Sequence, residues 1–105
     1  MTLDEIKKEI ESNDIVLFMK GTPTFPQCGF SAHVTSILAA EGLSFVSHDV
    51  LDDEELRVNI KEFSDWPTIP QLYIRGEFIG GADIVHEMYE SGELSRVLQP
   101  QGYGF

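Results

Sequence analysis

The only cysteine of this 105-residue chain, Cys28, stands in the stretch GTPTFPQCGFSA, Gly21 to Ala32. A lone thiol cannot close an internal disulfide, so it is free and a reducing compartment is expected. Three residues on, where a dithiol redox pair places its second sulfur, the chain has Ser31. What a thiol can do depends on how much of it is thiolate. With an ordinary pKa of about 8.5, roughly 3% is ionised at pH 7; a pKa near 6 raises that to about 90%. Two features favour the thiolate. Lys20 supplies a full positive charge from the end of a predicted strand, and a helix predicted to start at Cys28 supplies amides carrying about half a charge. Gly29 has no side chain to obstruct a partner approaching the sulfur. A buried, inert cysteine is the ordinary alternative. The Pro/Gly loop before Cys28 and its polar neighbours Gln27 and Ser31 argue for an accessible one.

The elements that must position this thiol follow from periodicity and punctuation. Thr2 and Glu5 make a capping box, and Leu3, Ile6 and Ile10 share one face, which predicts a helix over 3–12. Ile15 to Met19 run without polar alternation, as in a strand covered on both faces. Val34, Ile37 and Leu38 predict a helix over 28–41, which Gly42 stops in the left-handed region. LSFVSHDV is a second strand. Asp52, with Glu55 three later, caps a helix whose inner face is Leu56, Ile60 and Phe63. SDWPTIP breaks the chain with two prolines. QLYI and EFIG then form a hairpin about the turn RG. Asp83 opens a helix carrying Ile84, Val85, Met88 and Tyr89, and a last helix runs from Glu93 to Leu98, before Pro100. The tail from about residue 99 has nothing to hold it and is expected to be loose. A buried strand, a crossover helix and a second strand make a right-handed βαβ unit, which the hairpin extends. The expected fold is therefore α/β and thioredoxin-like: a four-stranded mixed sheet flanked by helices on both faces, as a single domain over 1–105.

Seven Lys and Arg against 18 Asp and Glu give a net charge of −11, which repels nucleic acid and anionic membrane over most of the surface. The same acidity suits a basic partner protein or serves solubility. The longest apolar run, IVLFM, is too short to cross a membrane, and the acidic amphipathic start is no leader peptide, so a cytoplasmic location is expected. His33 follows Cys28 by five residues, about 140° around the helix, which makes it a poor catalytic partner. His48 and His86 stand singly without ligand spacing, and no histidine metal site is expected. Trp66 and Phe63 read as core. Phe30 fits either the Val34 stripe or the surface by the cysteine, and Lys61 either a ligand contact or solvent.

Four segments in order, MKGTP, CGFS, WPTIPQLY and IGGAD, resemble the single-domain monothiol glutaredoxins over nearly the whole chain, to about Leu98. The long GTPTFPQ loop and Ser31 separate it from the dithiol members. The resemblance implies glutathione as ligand: Lys20 and Arg57 for its glycine carboxylate, the backbone of Ile69 before a cis-Pro70 for its cysteinyl part, Ala82 and Asp83 for its γ-glutamyl end. Asp83 read by itself is simply an N-cap, and both roles can coexist. Many relatives carry Cys or Ser where this chain has Ala82, which leaves only backbone contacts there.

Two functions are then open for one thiol. In the first, Cys28 attacks a glutathionylated protein and free glutathione resolves the mixed disulfide. In the second, Cys28 is a ligand of a labile 2Fe–2S cluster, which generally takes four ligands, commonly thiolates. Two chains and two glutathiones supply four, so the cluster would bridge a homodimer. The resemblance favours the second: an iron–sulfur carrier in cluster assembly and iron homeostasis, with iron–sulfur acceptor proteins and BolA-like proteins as partners. It makes the chain at most a weak thiol–disulfide oxidoreductase. A thioredoxin-fold binding module with an unused thiol is a third, lesser alternative.

Overall fold

The computed structural model describes residues 1–98. In chain order the elements are α1 (Leu3–Ser12), β1 (Ile15–Met19), α2 (Gly29–Ala40), β2 (Val46–Asp49), α3 (Glu54–Ser64), β3 (Gln71–Ile74), β4 (Glu77–Gly80), α4 (Ala82–Ser91) and α5 (Glu93–Leu98). The loose tail expected from residue 99, and Pro100 within it, lie outside the described residues.

β1 is apolar throughout because both its faces are covered, and all five of its residues are buried. It pairs in parallel with β2 and antiparallel with β3, and β3 pairs antiparallel with β4, giving the order β2-β1-β3-β4. The hairpin between β3 and β4 turns on Arg75 and Gly76, at φ 49° and 83°. Two adjacent left-handed residues give the turn a twist that matches the strands. Because successive strand residues face opposite ways, β1 feeds two cores. Ile15, Leu17 and Met19 pack with Val34, Ile37 and Leu38 of α2, Val85 of α4 and Leu94 of α5. Val16 and Phe18 pack on the other face with Ile6 and Ile10 of α1 and Leu56 and Ile60 of α3. This is the thioredoxin-like α/β fold, with helices on both faces of a mixed sheet.

The differences from expectation are local. The capping box forms, with Glu5 N donating to Thr2 Oγ1 at 3.1 Å and Thr2 N to Glu5 Oε1 at 2.8 Å. The cap of α3 is Asp53 rather than Asp52, its carboxylate accepting from Leu56 N at 3.0 Å. Asp52 is one residue too early: its amide donates to Asp49 O at 3.2 Å and closes the turn after β2. β2 is confined to Val46–Asp49, while Leu43 and Phe45 pack sideways onto the α2 core. Asp83 is not a cap. Gly81 holds that position, and Asp83 is the second residue of α4. The inner faces of the helices are also narrower than their apolar patterns: Leu3, Phe63, Ile84 and Tyr89 are 37–39% exposed, and Trp66, in the segment after α3, is 38% exposed. Phe63 and Trp66 are therefore not core residues.

Candidate functional site

β1 ends at Met19, and the chain must return to start α2 within a few residues. The turn is held by Gly21, whose amide donates to Asp49 Oδ1 at 2.9 Å on the neighbouring strand. Gln27 N donates to Lys20 O at 2.9 Å and Thr22 N to Phe25 O at 3.3 Å. The loop thus closes on itself and delivers Cys28 close to Lys20. Ser31, fully buried, accepts from Lys20 N at 3.1 Å, so it ties the end of β1 to the first turn of α2. The residue three beyond the cysteine is thus a structural tie.

Cys28 is the N-cap of α2, at φ −151° and ψ 136°, and makes no side-chain cap hydrogen bond. Gly81, the N-cap of α4, makes none either. The two helices on the opposite sheet face are capped, α1 by Thr2 and α3 by Asp53. The orphan amides of a first helical turn seek an acceptor; those of α4 get none from Gly81, and those of α2 have only the Cys28 sulfur beside them. Both helices start at one cavity of about 470 Å³. Lys20, Cys28 and Phe30 line it from the β1–α2 connection, Arg57 and Lys61 from α3, Trp66–Pro70 from the segment before β3, and Gly81–Ile84 from α4. All six residues singled out in the sequence, Lys20, Cys28, Arg57, Ile69, Ala82 and Asp83, lie around it.

The charge around the cavity runs against that of the chain. Three of the seven Lys and Arg line it. Among the described residues neither Lys20 nor Lys61 has an ion pair, and Arg57 has only Glu54, at 3.8 Å and largely exposed. In a chain with 18 acidic residues, three cations with only that one long, exposed ion pair among them give the cavity a positive lining able to receive an anion. Neither the amide nor the carbonyl of Ile69 has a hydrogen-bond partner among the described residues, although Ile69 is only 8% exposed. The Ile69–Pro70 peptide is cis.

Comparison with known proteins gives the family and the fold. The family model described as glutaredoxin matches residues 15–79. A mitochondrial monothiol glutaredoxin-5 of Lachancea kluyveri is 52% identical over 101 residues, covering 93% of this chain and 71% of its own. This chain belongs to the monothiol glutaredoxins. The solution structure of a monomeric truncated mutant of Trypanosoma brucei 1-C-Grx1 superposes with a TM-score of 0.86 at 47% identity, over 93% of this chain and 89% of that one. A buckwheat glutaredoxin crystallised as a glutathione complex shares the fold, with a TM-score of 0.81 at 23% identity over 91% of this chain and 86% of that one.

In this glutaredoxin the thiol is held below its ordinary pKa. The Ser31 amide is the strongest influence; burial opposes it, and the Phe30 amide, the Lys20 charge and the Ser31 hydroxyl add to it. A folded-state pKa below the unfolded one means the thiolate favours the fold above the unfolded value, and that contribution is lost as pH falls through the folded one. Alkylation by iodoacetamide as a function of pH is expected to show a midpoint below that of an ordinary thiol, moving up in Lys20→Ala. Identical midpoints in the two proteins would remove Lys20 from this role.

Sequence reasoning missed the contribution of Trp66, Pro67 and Thr68. Trp66 reads as core because large aromatics usually are, but Pro67 and Pro70 hold its segment at the cavity edge. Its Nε1 would stand 3.4 Å from a Cβ added at Gly81, and Pro70 O 3.3 Å. The glycine lets the two segments approach. Two prolines around a tryptophan were the available signal. Phe30 is 63% exposed, which places it on the surface by the cysteine. Lys61 lines the cavity.

Proposed function

We propose that this monothiol glutaredoxin binds glutathione in the cavity beside Cys28 and, through it, carries a labile 2Fe–2S cluster between two copies of the chain. The observation that carries the reading is the convergence of a lone thiol, three cations and two helix starts without side-chain cap bonds on one cavity. Glutathione is a tripeptide with a carboxylate at each end, one of them beside an ammonium. Lys20 and Arg57 suit the glycine carboxylate. The unpartnered backbone of Ile69 suits the cysteinyl peptide, as an added strand would. The free amides of Ala82 and Asp83 suit the γ-glutamyl carboxylate, and the Asp83 side chain its ammonium. Ala82 costs nothing in this scheme, since the contact is made by backbone.

The cluster is cargo. With one thiolate from each chain and one from each of two glutathiones it has four ligands, half of them held non-covalently. Such ligation exchanges readily, which suits delivery to iron–sulfur acceptor proteins or shared ligation with a BolA-like partner. Phe25 and Phe30, 72% and 63% exposed near the thiol, offer apolar surface to a second copy.

Anaerobic reconstitution with iron and sulfide, with and without glutathione, tests this. A glutathione-dependent visible chromophore in a dimer with about two irons per pair of chains is the expected result. A colourless monomer in both conditions overturns it. Lys20→Ala and Arg57→Ala are each expected to weaken glutathione binding by about tenfold, as loss of one charge-assisted contact does, and to speed cluster loss. Unchanged affinity in both would remove this account of the cations. The lowered pKa of Cys28 favours the second reading, glutathione-dependent thiol exchange. A colourless protein that deglutathionylates substrates would establish that one.

A further inference from the structure

The cavity does not use the one imidazole pair that the fold assembles. His33 is the fifth residue of α2 and His86 the fifth of α4, so each stands one turn beyond the cavity. His33 Nε2 lies 2.8 Å from His86 Nδ1, with ring centroids 5.0 Å apart, and both side chains are exposed. The two are 53 residues apart in sequence and meet only because α2 packs on α4.

We propose that His33 and His86 form a two-imidazole site for a borderline divalent transition cation of the zinc type, distinct from the thiol site and completed by water. Imidazole nitrogen selects such ions over magnesium or calcium. Bound at about 2.0–2.1 Å in a tetrahedron, two nitrogens stand roughly 3.3 Å apart. The pair therefore has to open by about half an ångström and turn so that both lone pairs meet at one point. Exposure leaves both rings free to do so. His86 already turns Nδ1 toward His33, so that nitrogen is the one placed to bind, while Nε2 lies on the other side, 3.8 Å from Glu90 Oε1. For the cation to take the place of the shared hydrogen, neutral His33 moves its single ring proton from Nε2 to Nδ1 through solvent, so that Nε2 presents a lone pair and both rings bind as neutral ligands. Among the described residues no set of three His, Cys, Asp or Glu converges on a metal position. The ion accordingly has two protein ligands and keeps water on the rest. Its ligands come from two helices, so it binds the folded chain and staples α2 to α4.

The test is a zinc chloride titration of the untagged chain carrying Cys28→Ser, which removes the thiol as a competing ligand and makes the outcome independent of the cluster proposal. Imidazole NMR resonances and thermal unfolding are followed together. The His33 and His86 resonances are expected to move to saturation at one zinc per chain, leaving those of His48 in place. The melting temperature should rise by about 4 °C or more at saturating zinc. His33→Ala and His86→Ala should each weaken binding by about tenfold or more and remove that rise. His48→Ala should change neither. Zinc that leaves the two resonances unmoved, or binds both variants as it does the parent, overturns the site. The resonances of the parent decide the matter even where a variant fails to fold.

Discussion

Cys28→Ser is expected to erase both the reconstituted chromophore and thiol exchange while leaving the fold at least as stable as before. The functional loss should be complete to background, because a serine hydroxyl stays protonated at neutral pH and does not replace a thiolate as soft ligand or as nucleophile. The stability expectation comes from position. Cys28 is only partly buried and belongs to neither core cluster. It is the N-cap of α2, with extended backbone and no side-chain cap bond. Serine is among the preferred residues there, since its oxygen accepts from an orphan amide of the first turn. The variant should thus gain up to about 1 kcal/mol, measured by urea unfolding beside the reconstitution assay. A variant that still gives the holo spectrum would falsify the ligand assignment. One that unfolds early would show instead that the sulfur supports the fold.

Gly21→Ala should produce the largest structural effect of any small substitution near the site. Gly21 has φ 87°, and a Cβ there would lie 2.5 Å from Phe25 O and 2.6 Å from Gln27 N. Both are backbone atoms of the loop that returns the chain to Cys28, so relief requires the loop itself to move. Left-handed strain and overpacking together put the cost on the order of 3 kcal/mol. The displaced loop should also separate Cys28 from Lys20, lowering the alkylation rate at neutral pH. Gly29→Ala is the control, because its Cβ would meet nothing within 4 Å. Its stability should stay within about 0.5 kcal/mol of the parent. Equal stabilities for the two variants would show that the loop has room the structure does not contain.

Most of the fold was legible because its signals are local. The buried strand, the capping box, the RG hairpin and the order of elements each rest on a few adjacent residues. What shifted were boundaries and faces. Asp53 displaced Asp52 as a cap because Asp52 was already engaged in a turn with Asp49. Trp66 and Phe63 looked like core because apolar type predicts burial only where another element arrives to cover it. Here the segment before β3 leaves Trp66 open to the cavity.

The sequence by itself determined that there is one thiol, that no internal disulfide can form, that the surface is strongly acidic and that four motifs match the monothiol glutaredoxins. These are matters of residue count and order, and they survive any packing. Tertiary structure decided everything that depends on distance between remote residues. It placed three cations of an acidic chain around one cavity, and left α2 and α4 without side-chain caps at its edge. It set Ser31 as the tie to Lys20, and brought His33 to His86, which no spacing in the sequence connects. The reason is physical: local propensity acts over a few residues, whereas a site is formed where packed helices and strands bring their ends together.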